Sequence, residues 1–229
     1  PAPAGDYILT GISEVIEHVP TAKILDRAYP DYNYPKPLEA KHIANYRKFV
    51  EYQVNKKGAK AERFVAGQNS QIVLTKNPSA YPNFKIQNLA VNGDVWTGQG
   101  TEIKAHFPKI SDIKDKKLPS ENASSLAFKL SYGDFDYFTG GDLLGVIPKN
   151  QPAWSDLETP VSKVTGPVDV VISNHHAYHD AMNETFLKNL APRVMITLSW
   201  DNNHPHTLTL PRMLSTDIYP GPRDLFITN

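Results

Sequence analysis

The sequence predicts a layered α/β protein, and three observations predict it. Apolar residues recur at helical spacing over 38–57. Short apolar runs broken by Gly, Asn and Pro fill 63–108, and strand-like and helix-like patterns alternate from 168 to the end. No linker-like stretch divides the 229 residues, so a single domain over 1–229 is expected.

Taken in order, "ILTGISEVIEH" (8–18) places Ile8, Ile12, Val15 and Ile16 at helical spacing, and "TAKILDRAY" reads as a strand ending at Asp26. The tyrosines and prolines of "YPDYNYPKP" suit a loop, whose Tyr29, Tyr32 and Tyr34 could stack on a ligand or simply pack. Leu38 to Lys57 puts Ile43, Tyr46, Phe49, Val50 and Val54 on one helical face, with Gly58 as the stop. "RFVAG", "QIVLT", "FKIQNLAVNG" and "TEIKAHF" read as a β-meander, and "KISDIKDKKLPSEN" as a solvated lysine-rich loop. "SSLAFKLSYGDFDYFTGGD" is a hairpin turning at Tyr132-Gly133-Asp134, and the stretch from Leu143 to Pro167 is an irregular connection. "VDVVIS" is a buried strand and "YHDAMNETFLKNL" a helix with Met182, Phe186, Leu187 and Leu190 inward. "PRVMITLS" is a strand, "TLTLPRMLST" a short helix at Pro211, and "DLFITN" the last strand.

Lys+Arg and Asp+Glu both number 24, so bulk charge does not draw a polyanion. No apolar run is long enough for a membrane span, and a soluble protein is expected. The chain has no cysteine, so a metal would be held by His, Asp and Glu, and no compartment is indicated.

Three clusters follow apolar strands: Gly140-Gly141-Asp142, His175-His176, and Asn203-His204-Pro205-His206. Loops at one end of a layered sheet build ligand sites, because the strands fix their ends while their side chains stay accessible. A carboxylate and neutral imidazoles converging there suit zinc or another first-row metal that activates water. Each residue also has an ordinary reading: Asp142 as a turn or cap residue, His204 and His206 as plain loop residues, and His179 as part of the next helix's first turn. His18, His42 and His106 read as surface or half-buried structural histidines.

"NASSLAFKLSYGDFDYFTGGDL", "VDVVISNHHAYHDAMNETFLKNLAPRVMI" and "NNHPHTLTLPRML" resemble, in order, motifs of the metallo-β-lactamase-fold hydrolases, in particular the branch that includes the hydrolase domain of the competence protein ComEC. Asn122, Ser125 and Leu126 fall on that branch's Asn-x-x-Ser-Leu, Thr139 and Asp142 on its Thr-Gly-Asp, and His175 and His176 on its His-His-Gly-Ser. Asn203, His204, Pro205 and His206 fall on its late Asn…His-Pro-His. The resemblance covers about the last half of the chain well and "GISEVIEHVPTAKILDRAY" more loosely. It implies a four-layered αββα fold, with Asp142 bridging two zinc ions (manganese and iron being alternatives) and His175 or His176 completing the second site. Asp142 and His176 are then the catalytic candidates, and His204, His206, Asn203 and Tyr178 line the substrate pocket. Strand alternation would send His175 and His176 to opposite sides, favouring His176 because it lies nearer the loop.

The sequence departs from the family in four places. The His-x-His-x-Asp-His motif is absent, so the expected partner is a missing N-terminal segment of the same protein, this chain being a C-terminal portion. Thr139-Gly140-Gly141-Asp142 carries one extra glycine, Ala177-Tyr178 places a ring at the mouth, and "NQPAWSDLE" could cover the site. The function expected is metal-activated hydrolysis of an ester, phosphodiester or amide in a small-molecule or phosphodiester substrate; the alternative is a non-catalytic scaffold of the same fold that binds a small ligand or partner. Nucleic-acid binding draws only on a local patch, the lysines at 109, 114, 116 and 117 interrupted by Asp112 and Asp115.

Overall fold

The computed structural model describes residues 3–114 and 117–228. It is a mixed α/β protein with one large sheet, in the class the patterning predicts. The chain divides into two compact units, Pro1–Phe64 and Val65–Asn229.

In the first unit, β1 (Pro3–Ala4) pairs antiparallel with β2 (Tyr7–Ile8), and α1 (Ile12–His18) follows. β3 (Lys23–Asp26), α2 (Lys41–Lys57) and β4 (Lys60–Arg63) form a βαβ step, β3 and β4 pairing in parallel. Gly58 ends α2 in the left-handed region at φ 75°, a conformation a Cβ would penalise. Tyr7, Ile24, Phe49 and Val50 make the core. The tyrosine-proline loop is tied down by Asp26, which accepts the Ala28 amide at 2.6 Å and the Tyr32 hydroxyl at 2.7 Å. Burial first, then Asp26, pushes the Tyr32 phenol well above its ordinary range. Tyr32 is buried and Tyr29 packs against the core, so these two rings have structural roles.

The second unit carries an eight-stranded sheet. Its strands are β5 (Phe84–Val91), β6 (Asp94–Trp96), β7 (Ile103–Ala105), β8 (Ala127–Tyr132), β9 (Phe135–Thr139), β10 (Val170–Ile172), β11 (Val194–Thr197) and β12 (Asp224–Ile227), in the order β12-β11-β10-β9-β8-β5-β6-β7. β5 to β9 pair antiparallel, whereas β9, β10, β11 and β12 run parallel. Asn92-Gly93 turns β5 into β6 with both φ positive (53° and 84°), the geometry a two-residue hairpin needs. The parallel strands are linked through α3 (Glu158–Thr165), α4 (Glu184–Leu190) and α5 (Thr209–Leu214). Asn183 caps α4, its side chain accepting the Phe186 amide at 2.8 Å. Phe138, Val171 and Met195 from the sheet are fully buried, as are Leu157, Val161, Phe186, Leu187 and Leu190.

The structure corrects four sequence readings. "QIVLT" forms no strand, and the strand near "RFVAG" is β4, which pairs with β3 and stands outside the meander. α3 occupies a stretch expected to be irregular. Pro160 lies in its first turn, where a proline removes no helical hydrogen bond, and Asp156 accepts the Thr159 amide at 3.0 Å. In α1, Ile12 and Val15 are more than half exposed, so helical spacing there does not mark a buried face. Lys109, Lys114 and Lys117 are exposed on the lysine-rich loop, while Asp115 and Lys116 lie outside the described residues.

The edge-to-face pair of Phe138 and Phe186, 5.3 Å between centroids, joins the sheet to α4 with both rings fully buried. Phe186→Ala is expected to destabilise the protein by about 3–5 kcal/mol, read as a lowered urea midpoint by circular dichroism.

Candidate functional site

β9, β10 and β11 lie side by side in parallel, so the loops after all three leave the same edge of the sheet. After β9 the chain turns through Gly140 and Gly141. A Cβ at Gly140 would crowd the Asn174 side-chain oxygen, and Gly141 sits at φ 58°. Asp142 is then fixed through its amide, which donates to Ser125 Oγ at 3.1 Å, while the Gly141 carbonyl accepts the His175 amide at 3.0 Å. The extra glycine thus belongs to the contact between two loops.

After β10 the backbone enters the left-handed region for three successive residues: His175 (φ 42°), His176 (φ 55°) and Ala177 (φ 55°). For residues with a Cβ this costs roughly 1–2 kcal/mol each, so surrounding contacts must enforce it. Chief among them is Glu158, fully buried, whose carboxylate accepts from Asn174 Nδ2 at 2.8 Å and from the Met182 and Asn183 amides, both at 2.7 Å. A Cβ at Gly145 would overlap this carboxylate, which accounts for a glycine there. Burial outweighs these donors and raises the Glu158 pKa to about 7.

The two adjacent histidines have different partners. His175 is held at both nitrogens: Nδ1 donates to Asp180 Oδ1 at 2.7 Å, and Nε2 accepts from Asn122 Nδ2 at 2.9 Å. The Asp180 hydrogen bond lifts its pKa above the ordinary imidazole range against the opposing effect of burial. His176 donates from Nδ1 to the Leu198 carbonyl at 2.6 Å, leaving Nε2 to face Asp142 Oδ1 at 3.6 Å. The two side chains lie in a left-handed turn beyond the strand end, so strand alternation is not what separates them, contrary to the sequence reading. Their different hydrogen-bond partners are.

Rings surround this pair. His204 stacks on His176 at 4.8 Å and 18°, and burial followed by the nearby His176 lowers the His204 pKa. Tyr178 meets His204 and His206 edge-on at 5.7 and 5.5 Å, and the His206 amide donates to the Ala177 carbonyl at 2.9 Å. Trp200, 76% exposed, stands edge-on to His176 at the rim. Asn203 is turned elsewhere: its side chain and amide both donate to Asp201 Oδ1. His179 lies in the loop before α4, Asn183 being that helix's cap, which corrects its placement in the first turn.

The structure therefore brings together Asp142, His176, His204, His206 and Tyr178, engages His175 otherwise and leaves Asn203 at the surface. Among the described residues no three His, Asp or Glu side chains converge closely enough to hold a metal ion. Asp142 and His176 are two donors at a separation that fits one ion, since tetrahedral bonds of about 2.0–2.2 Å put ligands about 3.4 Å apart. Sequence reasoning missed Asp180 and Glu158 as organisers of these loops. Asn122 and Ser125 were visible in the Asn-x-x-Ser stretch, but their hydrogen bonds to His175 and Asp142 were not.

No protein-family model matches the chain, and no curated sequence does. Among solved structures, a mutant of the CmlA β-hydroxylase is similar at 11% identity and a TM-score of 0.45, over 93% of this chain and 39% of that one. The chain thus spans 39% of the length of that neighbour. The metallo-β-lactamase fold protein YhfI from Bacillus subtilis is similar at 13% identity and a TM-score of 0.41, over 95% of this chain and 80% of that one. A protein from Thermotoga maritima, assigned to the Zn-dependent hydrolases of the metallo-β-lactamase superfamily, is similar at 11% identity and a TM-score of 0.31, over 74% of this chain and 73% of that one.

Two predictions follow from the charges. Because the Glu158 pKa is raised from 4.5 to about 7, the folded state keeps a proton that the unfolded state has released between those values. Its contribution to stability is full below the unfolded pKa and is lost as pH rises through about 7. Urea midpoints from roughly pH 5 to 8 are expected to show a loss of up to about 3 kcal/mol that Glu158→Gln does not share. Separately, Asp180→Asn removes the main cause of the raised His175 pKa, which is expected to fall in an NMR titration.

Proposed function

We propose that this chain carries the Asp142–His176 part of a metal-dependent hydrolase site of the metallo-β-lactamase type. One observation supports it above the others. His176 Nδ1 donates to a carbonyl, so its Nε2 lone pair and the Asp142 carboxylate are two acceptors facing each other at 3.6 Å. Such a pair calls for positive charge between its members, supplied by a proton or by a metal ion. The carbonyl bond to the remote ring nitrogen is also the arrangement that orients metal-binding histidines.

When bound, a zinc-type ion supplies an activated water and polarises the scissile bond. Two donors do not fill a four-coordinate site, so in this reading the remaining ligands come from a segment bearing the His-x-His-x-Asp-His motif that the sequence lacks. Asp142 and His176 bind, while Tyr178, His204 and His206 form the wall against which an ester, phosphodiester or amide lies. The balance of charge disfavours a nucleic acid, and no helix among the described residues is long and apolar enough to cross a membrane. A second reading, a non-catalytic scaffold, draws on the absence of a three-donor cluster among the described residues and on the engagement of both His175 nitrogens.

Cobalt(II) titration followed by its visible absorption, carried out with a segment bearing the His-x-His-x-Asp-His motif supplied, separates the two readings. The hydrolase reading expects binding that Asp142→Ala and His176→Ala each weaken by at least about tenfold. Absence of binding, or binding that neither substitution changes, would leave the scaffold.

A further inference from the structure

A cavity of about 310 Å³ lies beside the His175 clamp, walled by Leu118, Pro119, Val146, Ile147, Pro148 and Trp154, with Asp180 also lining it. We propose that it receives an uncharged aromatic or branched-alkyl group of the molecule whose reactive bond meets Asp142 and His176. The identity of that reacting pair rests on the hydrolase reading; occupancy of the cavity does not.

Size, chemistry and position each support the proposal. Ligand pockets begin near 300 Å³, and an apolar cavity of about 150 Å³ already admits benzene, so this one suits a single one- or two-ring group and excludes a polymer segment. Eight of its thirteen wall residues are apolar, the others being Lys117, Ser120, Gln151, Ser155 and Asp180, and Trp154 is braced edge-on by the buried ring of Phe107 at 5.1 Å, giving a flat surface fixed in place. The one carboxylate in the wall, Asp180, already accepts from His175 and is matched by a single wall cation, Lys117, so the wall carries no net charge to offset the cost of burying a charged guest. The wall is pinned to the same loop, since the Gly145 and Val146 amides donate to the Asp180 carbonyl at 2.9 and 2.8 Å.

Position links the cavity to the chemistry. Asp180 lines it and orients His175; Ala123, also in the wall, follows Asn122, which holds the other His175 nitrogen. Leu144, two residues beyond Asp142, is a further wall residue. The "NQPAWSDLE" segment contributes Gln151, Trp154 and Ser155 to this wall.

Calorimetric titration with indole, a neutral two-ring probe that cannot be hydrolysed, tests the proposal. Wild type is expected to bind indole, and to bind indole-3-carboxylate about tenfold more weakly or not at all. Val146→Trp, which fills the space, and Trp154→Ala, which removes the flat wall, are each expected to weaken indole by about tenfold or more with an unchanged circular dichroism spectrum. If one of these variants fails to fold, the other decides. Asp142→Ala is expected to leave indole binding within about twofold. No binding to wild type, or binding that the folded cavity variants do not change, overturns the proposal even if cobalt binds. Indole binding that depends on the cavity, with no cobalt binding, sustains it and removes the hydrolase reading instead.

Discussion

The arrangement of the second unit depends on the carboxylate of Glu158, which has no access to water. Its two oxygens accept from Asn174, just before the histidine pair, and from the Met182 and Asn183 amides at the far end of the same loop. Asn183 in turn caps α4 and reaches back to Asp156 and Thr159 at the start of α3. One buried group therefore joins two helices to both ends of the loop that carries His175 and His176. Burying a carboxylate is unfavourable unless donors surround it, and that requirement makes the loop's position nearly all-or-none.

The left-handed turn at His175, His176 and Ala177 is a consequence of this anchoring. With Asn174 and Met182 held, the intervening residues must reverse direction in little space, and unfavourable backbone angles are offset by the bonds at either end. The turn sends one imidazole to Asp180 and Asn122 and the next to Leu198 and Asp142. Adjacent residues of one type thus acquire distinct electrostatic settings: His175 beside a carboxylate at 2.7 Å, His176 with a lone pair opposite one at 3.6 Å.

Much of the scaffold was legible because its signals are local. The face of α2 and its glycine stop, the β8–β9 hairpin at Gly133-Asp134, and the apolar runs that became β10, β11 and β12 each follow from spacing or turn chemistry within a few residues. α3 was missed because a proline reads locally as a breaker, and only its place in the first turn makes it harmless.

By itself the sequence determined the α/β class, the strands that became β8 to β12, and the three clusters that follow β9, β10 and β11, since side-chain period and turn residues are properties of short segments. Tertiary structure alone decided that those strands lie adjacent and parallel, that His176 faces Asp142 while His175 is clamped by Asp180 and Asn122, and that Glu158 is buried beneath them. Apart from the His175–Asp180 bond, which spans five positions, those outcomes depend on hydrogen bonds between residues from 16 to 53 positions apart. No local pattern encodes such pairings, because a buried donor or acceptor finds its partner only when the chain has closed around it.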